Sequence, residues 1–327
     1  MKRLVKQFTI QLNEALQIGQ SANLNESEKA ISSIVITGLG GSGIGGKIAI
    51  QLIENQLNIP AIVNNNYNLP SFVNENTLVI VSSFSGNTEE TLEALKDAQA
   101  CNAEIACITS GGKLSEIAKQ NNYNLILLPK AFSPRAMLTY SVIQQLFLFN
   151  HYGLIDDQFI INTQSTIELL DKEIEDIKNQ AHQMALALHG RTTVVYSEAC
   201  MEGVIVRMRQ QINENSKALG WQHVIPEMNH NELVGWAGGK KEYSVVFLRS
   251  SFEHPRSKVR IEISKEIIQK KAASVLEFHA KGDSIIEQAF YHILLGDWAS
   301  VYLAELYQVD DVEVKVIDYL KSELAKI

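Results

Sequence analysis

The sequence predicts an α/β fold made of two parallel sheets, each flanked by helices. Three observations carry this prediction. Short β-branched runs alternate with helical patterns, a glycine-rich turn follows the first such run, and the alternation starts again after a helical stretch near mid-chain. Strand, helix, strand order implies parallel pairing, sheets covered on both faces and ligands at the carboxyl ends of the strands.

Taken in order, Leu4, Phe8, Ile10, Leu12, Ala15 and Leu16 recur at roughly helical spacing, which predicts an amphipathic helix in an N-terminal segment, 1–32. Strands are expected at Ile34–Thr37, Ala61–Val63, Leu78–Ser82, Glu104–Ile108 and Leu125–Leu128, with helices near 44–56, 88–100 and 112–120; together they form a first domain, 33–152. From Met137 to about Gly190 the pattern is helical, and the charge-rich stretch Ser165–Gln183 suits a connector, 153–190. A second set of strands, Thr192–Tyr196, Tyr243–Leu248 and Ser274–Phe278, with helices around 200–218 and 255–270, opens a second domain, 191–327. This half reads as a copy of the first without the glycine-rich loop, since Tyr196-Ser197-Glu198-Ala199-Cys200 follows its first strand. Two helices, a largely buried one over Ile285–Leu306 and another over Val312–Leu324, close the chain.

The 327 residues allow two domains with cores of ordinary size. A hydrophobic content of 46% with 20% charged residues describes a globular chain. Its 29 Lys+Arg against 37 Asp+Glu, a formal net charge of -8, argue against a nucleic-acid partner, because nonspecific affinity for nucleic acid needs a cationic surface. Cys101, Cys107 and Cys200 form no CxxC pair and are expected to be reduced, buried, small apolar residues. The start of the chain lacks the apolar run of a signal peptide, and no later run reaches the ~20 residues of a membrane span, so a soluble cytoplasmic protein with no membrane partner is expected.

Two turns carry the functional signal: Gly38-Leu39-Gly40-Gly41-Ser42-Gly43 after Ile34-Val35-Ile36, and Ser82-Ser83-Phe84-Ser85-Gly86-Asn87-Thr88 after Leu78-Val79-Ile80-Val81. Each opens a helix, whose first N–H groups and positive dipole end can hold an anion without Lys or Arg. Gly40, Gly41, Ser42, Ser83, Ser85 and Thr88 are the candidate phosphate ligands. As single turns they read equally as helix caps. Gly38-x-Gly40-x-x-Gly43 also fits a dinucleotide fingerprint, which wants a carboxylate after the second strand; Asn64-Asn65-Asn66-Tyr67 stands there instead. There is no Walker loop, no HExxH and no metal-spaced Cys/His cluster, so neither metal nor cofactor is expected.

At these residues the chain resembles the sugar isomerase (SIS) superfamily, and within it the bifunctional phosphoglucose/phosphomannose isomerases. The resemblance rests on Gly38 to Gly46, Ser83 to Leu92, Ser133-Pro134-Arg135-Ala136, Asn213-Glu214-Asn215-Ser216-Lys217 and Asn229-His230-Asn231-Glu232, in both halves. It implies two SIS domains, a homodimer with shared active sites, a hexose 6-phosphate substrate, and aldose–ketose interconversion of glucose 6-phosphate or mannose 6-phosphate with fructose 6-phosphate through a cis-enediol. By resemblance Glu214 is the general base, Arg135 the cation beside the enediolate, and His230, from the other subunit, the group acting on the ring oxygen. A C-terminal lysine, Lys321 or else Lys315, assists there. Taken singly, Glu214 reads as a solvated helix-face glutamate, Arg135 as a surface arginine and His230 as a cap on the turn before Glu232. The family's Thr- and Pro-containing segment before the last helix is absent, with Val309-Asp310-Asp311-Val312-Glu313-Val314 in its place; a hydroxyl there goes with tolerance of both C2 epimers. Two other functions compete: a sugar-phosphate-binding SIS regulator without turnover, and an NAD(P) oxidoreductase.

Overall fold

The computed structural model describes residues 1–131, 133–324 and 326. A short α1 (Lys2–Val5) precedes α2 (Phe8–Ser21), so the expected N-terminal helix is two helices broken at residues 6 and 7. There follow β1 (Ser33–Thr37), α3 (Gly40–Leu52), β2 (Ala61–Asn64), β3 (Thr77–Ser82), α4 (Glu89–Ala100), β4 (Glu104–Thr109), α5 (Gly112–Gln120), β5 (Asn124–Leu127), α6 (Leu138–His151) and α7 (Gln158–Leu188). The remainder is β6 (Thr192–Glu198), α8 (Glu202–Ser216), β7 (Gly220–Ile225), α9 (Glu232–Gly235), β8 (Tyr243–Arg249), α10 (Pro255–Ile268), β9 (Ser274–His279), α11 (Ile285–Tyr307) and α12 (Lys315–Leu324). The chain divides into two compact units, one of Lys6–Asp171 with Ser284–Glu287, the other of Met1–Val5, Lys172–Asp283 and Gln288–Ile327. No helix among the described residues is long and apolar enough to cross a membrane.

The first unit holds a parallel sheet in the order β2-β1-β3-β4-β5. Its central strands are buried on both faces, which is why they read as unbroken apolar runs. Val35, Val79, Val81 and Cys107 on one face pack against Leu95, Ala98, Leu114 and Ala118 of α4 and α5. Along its own length α2 bonds to α6, Gln144 Nε2 donating to the Ala15 carbonyl at 2.7 Å and the Tyr140 hydroxyl to Glu14 at 2.7 Å. α3 begins at Gly40, four residues before the expected start, because the glycine-rich turn is itself the first helical turn. Cys101 is exposed at the end of α4, against the expectation of burial, while Cys107 is buried and its thiol is pushed up to about 12 by that burial.

The second unit repeats the strand order as β7-β6-β8-β9, again parallel. Its apolar face gathers Val194, Tyr196, Val245 and Phe247 with Ile261 and Ile268 of α10 and with Trp236. β7 is not among the expected strands; it is a strand because it pairs with β6 along its length as a half-buried edge. α8 is registered against α11 by polar contacts in an otherwise apolar packing. Arg207 Nη2 meets Asp297 Oδ2 at 3.1 Å with both side chains buried, Asn215 Nδ2 donates to Ser300 Oγ at 2.9 Å, and Ser216 Oγ donates to the Ser300 carbonyl at 2.7 Å. Removing one partner of such a pair strands a buried charge, whereas replacing both with apolar groups of similar size does not. Asp297→Leu is therefore expected to lose about 3–5 kcal/mol in urea unfolding. The double variant Arg207→Met/Asp297→Leu should be at least as stable as the parent chain.

Candidate active site

In the first unit the two sequence-flagged turns meet. A Cβ at Gly38 would lie 2.7 Å from the Ser82 carbonyl oxygen and 3.2 Å from the Ser42 Cβ, so only glycine lets the ends of β1 and β3 and the start of α3 come this close. Gly41 faces the 3-10 turn Pro134–Ala136: a Cβ there would stand 3.6 Å from the Pro134 oxygen and 3.8 Å from the Arg135 Cα. Arg135 is thereby buried beside the opening turn of α3, with 8% of its surface exposed, and is no surface arginine. Neither α3 nor α4 has its N-terminus capped by a side chain. Thr88 holds the N-cap position of α4, yet its hydroxyl lies 2.9 Å from that of Ser83 instead of accepting from the helix. Ser83 Oγ also accepts from the Gly86 N–H at 3.2 Å, and Ser85 Oγ from the Asn87 N–H at 3.2 Å. Gly40, Gly41, Ser42, Ser83, Ser85, Thr88 and Arg135 thus belong to one sheet edge of one unit.

Two supports of this edge carried no signal in the reading of the sequence. Asn65, in the stretch where a dinucleotide fold would carry its carboxylate, donates to the Gly38 carbonyl at 2.6 Å and so braces the glycine turn. The loop after β4 braces the serine turn: the Ser110 hydroxyl donates to the Phe84 carbonyl at 2.7 Å and the Leu114 N–H to the Gly86 carbonyl at 3.0 Å. Gly86 has φ +68, and a Cβ there would sit 1.8 Å from the Gly111 carbonyl oxygen. A serine-glycine pair in a turn looks like ordinary loop composition, and only the fold shows what it touches.

The second unit lacks this cradle for a visible reason. At the end of β6, the Glu198 carboxylate accepts from the Cys200 N–H at 2.8 Å and from Ser257 Oγ, in the first turn of α10, at 3.3 Å. After β8, Glu253 accepts from the Ser250 N–H at 2.9 Å and from Arg249 Nε at 2.9 Å. The positions that match the glycine and serine turns are filled by the chain's own carboxylates.

Glu214, His230, Lys321 and Lys315 lie in this second unit. Glu214 is in the last turn of α8, half-buried; the adjoining Asn215 and Ser216 are tied to α11, and Asn213 Nδ2 donates to the Ala218 carbonyl at 2.7 Å. Lys217, with φ 54 at the helix end, donates to the Glu214 carbonyl at 2.6 Å and the Glu313 carbonyl at 2.7 Å. His230 ends the 3-10 turn Glu227–His230 and is exposed; the cap before Glu232 is made by Asn231, whose Oδ1 accepts from the Glu232 N–H, and not by His230. Glu232 accepts from the Tyr196 hydroxyl, from Trp221 Nε1 at 2.7 Å and from His223 Nδ1 at 2.8 Å. Burial, and then the Glu232 charge, hold the Tyr196 phenol far above its ordinary value, so it is a fixed donor. Before α12, Asp310 Oδ1 accepts from the Val312 N–H at 2.8 Å and the Glu313 N–H at 3.2 Å, and these bonds lower its pKa. Asp310 thus closes an Asx turn before α12. α12 carries Lys321 and Lys315 and buries none of its residues: Val316 is 81% exposed, Tyr319 66% and Leu320 57%.

Comparisons with known proteins follow these two units. A family model described as the SIS domain matches residues 29–154, and one described as the bacterial phospho-glucose isomerase C-terminal SIS domain matches residues 177–324. The chain is 40% identical over 327 residues to a bifunctional phosphoglucose/phosphomannose isomerase of Caldicellulosiruptor bescii, covering 97% of this chain and 96% of the relative. It is 37% identical to a protein of the same description from Aquifex aeolicus, covering 90% of each. In three dimensions it matches the C-terminal domain of the glucosamine-fructose-6-phosphate aminotransferase of Francisella tularensis with a TM-score of 0.79 at 13% identity, over 96% of this chain and 98% of that one.

If the brace on the serine turn is as tight as its geometry indicates, Gly86→Ala is unfavourable twice, through its backbone conformation and its contact with Gly111. A loss of about 2 kcal/mol or more is expected in urea unfolding, whereas an exposed Gly→Ala change at a φ that alanine adopts freely stabilises by about 0.4–1 kcal/mol.

Proposed function

The chain belongs to the bifunctional phosphoglucose/phosphomannose isomerase family, and from that premise we propose that it interconverts glucose 6-phosphate or mannose 6-phosphate with fructose 6-phosphate. The observation that carries this reading is the meeting, at one sheet edge, of two uncapped helix starts, four hydroxyls and the buried Arg135. In this reading Gly40, Gly41, Ser42, Ser83, Ser85 and Thr88 hold the phosphate through N–H and O–H donors. Glu214 carries a proton between C2 and C1 of the open-chain sugar, the chemistry asked of a general base placed over both carbons. Arg135 faces the negative charge of the enediolate, because a guanidinium keeps its charge when desolvated. His230 and Lys321, with Lys315 as the other candidate, act at the ring oxygen.

The reading includes metal independence, a homodimer, a cytoplasmic location, and the organisation into a segment 1–32, SIS domains over 33–152 and 191–327 and a connector between them. Among the described residues no three His, Cys, Asp or Glu side chains are grouped to hold a metal ion. Dimerisation is supported by α12, an amphipathic helix whose apolar residues are exposed on the single chain. A regulator without turnover would need the phosphate turns alone; the Glu214 and Arg135 segments favour the enzyme.

The purified protein should form fructose 6-phosphate from glucose 6-phosphate and keep its rate after dialysis against EDTA; ligand binding without turnover would select the regulator. Glu214→Gln should lower kcat by about 10³-fold with KM changed little. In light scattering the protein should run at twice the chain mass, and Leu320→Glu on α12 should shift it to the monomer and take the activity with it.

A further inference from the structure

One carboxylate in the second unit is better held than its place on the surface calls for. Residues 226–240 form a largely exposed excursion between β7 and β8 whose buried side chains are Met228 and Trp236. Val234, within α9, is 76% exposed. Among them Glu232 turns inward and takes three donors from the sheet: Tyr196 of β6 and Trp221 of β7 on Oε1, and His223 of β7 on Oε2. Trp236 Nε1 donates in turn to the Tyr196 hydroxyl at 3.0 Å. An apolar side chain would staple this loop to the core more cheaply, since a carboxylate must give up water to get there. What the carboxylate adds is direction. Three bonds from two paired strands fix its position and orientation in a way apolar contact does not.

The residue next to this clamp on the motif is the one with a proposed chemical task. Asn229 Nδ2 donates to Ser264 Oγ at 2.9 Å, and Asn231 bonds both to Glu227 at 2.8 Å and to the Glu232 N–H. Three of the four residues in Asn229-His230-Asn231-Glu232 are therefore pinned by side-chain bonds, while His230 stands exposed. We infer that Glu232 is a positioning residue for His230: gathered by Tyr196, Trp221 and His223, it holds the exposed imidazole at a fixed place from which to exchange a proton with the ring oxygen of a hexose phosphate. The inference rests on His230 being the ring-opening group. A misplacement of about 1 Å in a catalytic group can reduce turnover about 10²-fold.

Positioning and plain structural support separate on substrates that differ in ring closure. Glucose 6-phosphate must be opened before isomerisation. D-Erythrose 4-phosphate has no hydroxyl able to close a five- or six-membered ring on C1, so exchange of its C2 proton with deuterated solvent needs Glu214 but no ring opening. Glu232→Ala should lower kcat on glucose 6-phosphate by about 10²-fold with little change in KM, and leave C2 exchange of D-erythrose 4-phosphate within about threefold of the parent. His230→Ala should show the same split, and the double variant should be no slower than His230→Ala alone. Glu232→Gln, which keeps an acceptor for Tyr196 and Trp221, should recover most of the lost rate. If Glu232→Ala does not fold, Trp221→Phe removes one donor while keeping a ring in place, and should show a smaller loss with the same split. Equal losses on both substrates, or additive losses in the double variant, overturn the inference. A loss in His230→Ala with none in Glu232→Ala or Trp221→Phe overturns it alone; a loss in Glu232→Ala with none in His230→Ala overturns it together with the assignment of His230.

Discussion

The arrangement of the first unit depends on how closely the ends of β1 and β3 approach. In a parallel sheet every following helix starts at the same edge, so two helix N-termini on neighbouring strands point their unpaired N–H groups toward one region. That region is narrow only if nothing stands between the strand ends. Gly38 meets the condition, because any Cβ there would press on the Ser82 carbonyl and the Ser42 side chain. The Pro134–Ala136 turn packs on the same helix start beside Gly41, which brings the Arg135 backbone with it. Two helix starts without side-chain caps and the buried Arg135 thus belong to the same unit, and preorganised donors of this kind are effective toward an anion.

The second unit shows the same chain path put to another use. Its strand order repeats that of the first, yet the two matching turns end in Glu198 and Glu253, whose carboxylates accept from the local N–H and hydroxyl groups. A turn closed in this way by the chain's own carboxylate is stable without a ligand. The contacts at α8 and at Glu232 fix orientation. Arg207, Asn215 and Ser216 set the rotation of α8 against α11, and with it the face that Glu214 presents; the bonds to Glu232 do the same for the loop of His230. Buried ionic and polar pairs add little net stability compared with apolar packing, so specificity of register is their more natural role here.

Most of the fold was legible because its strands are short, apolar and regularly spaced. The elements that escaped are those whose identity comes from neighbours. β7 starts at glycine and carries Gln222 and His223 in mid-strand, and it is a strand through pairing with β6. Cys101 was expected inside because cysteines usually are, but it falls on the solvent side of the end of α4. In the candidate site the glycine and serine turns stood out by composition. Asn65, Ser110 and Gly111 did not, since the same residues in any loop look alike until their partners are known.

The amino-acid sequence by itself determined the parallel α/β class, the two-part organisation, the pair of glycine- and serine-rich turns and the motifs that mark the family, because periodicity, glycine content and local spacing are properties of neighbours along the chain. Tertiary structure alone decided that Thr88 pairs with Ser83 instead of capping α4, that Arg135 is buried, that Glu198 and Glu253 close the second set of turns, and that Glu232 is the anchor of its loop. Each of these depends on which hydrogen-bonding group lies within about 3 Å of another. Residues distant in sequence acquire that proximity only when the sheets have paired and the helices have packed.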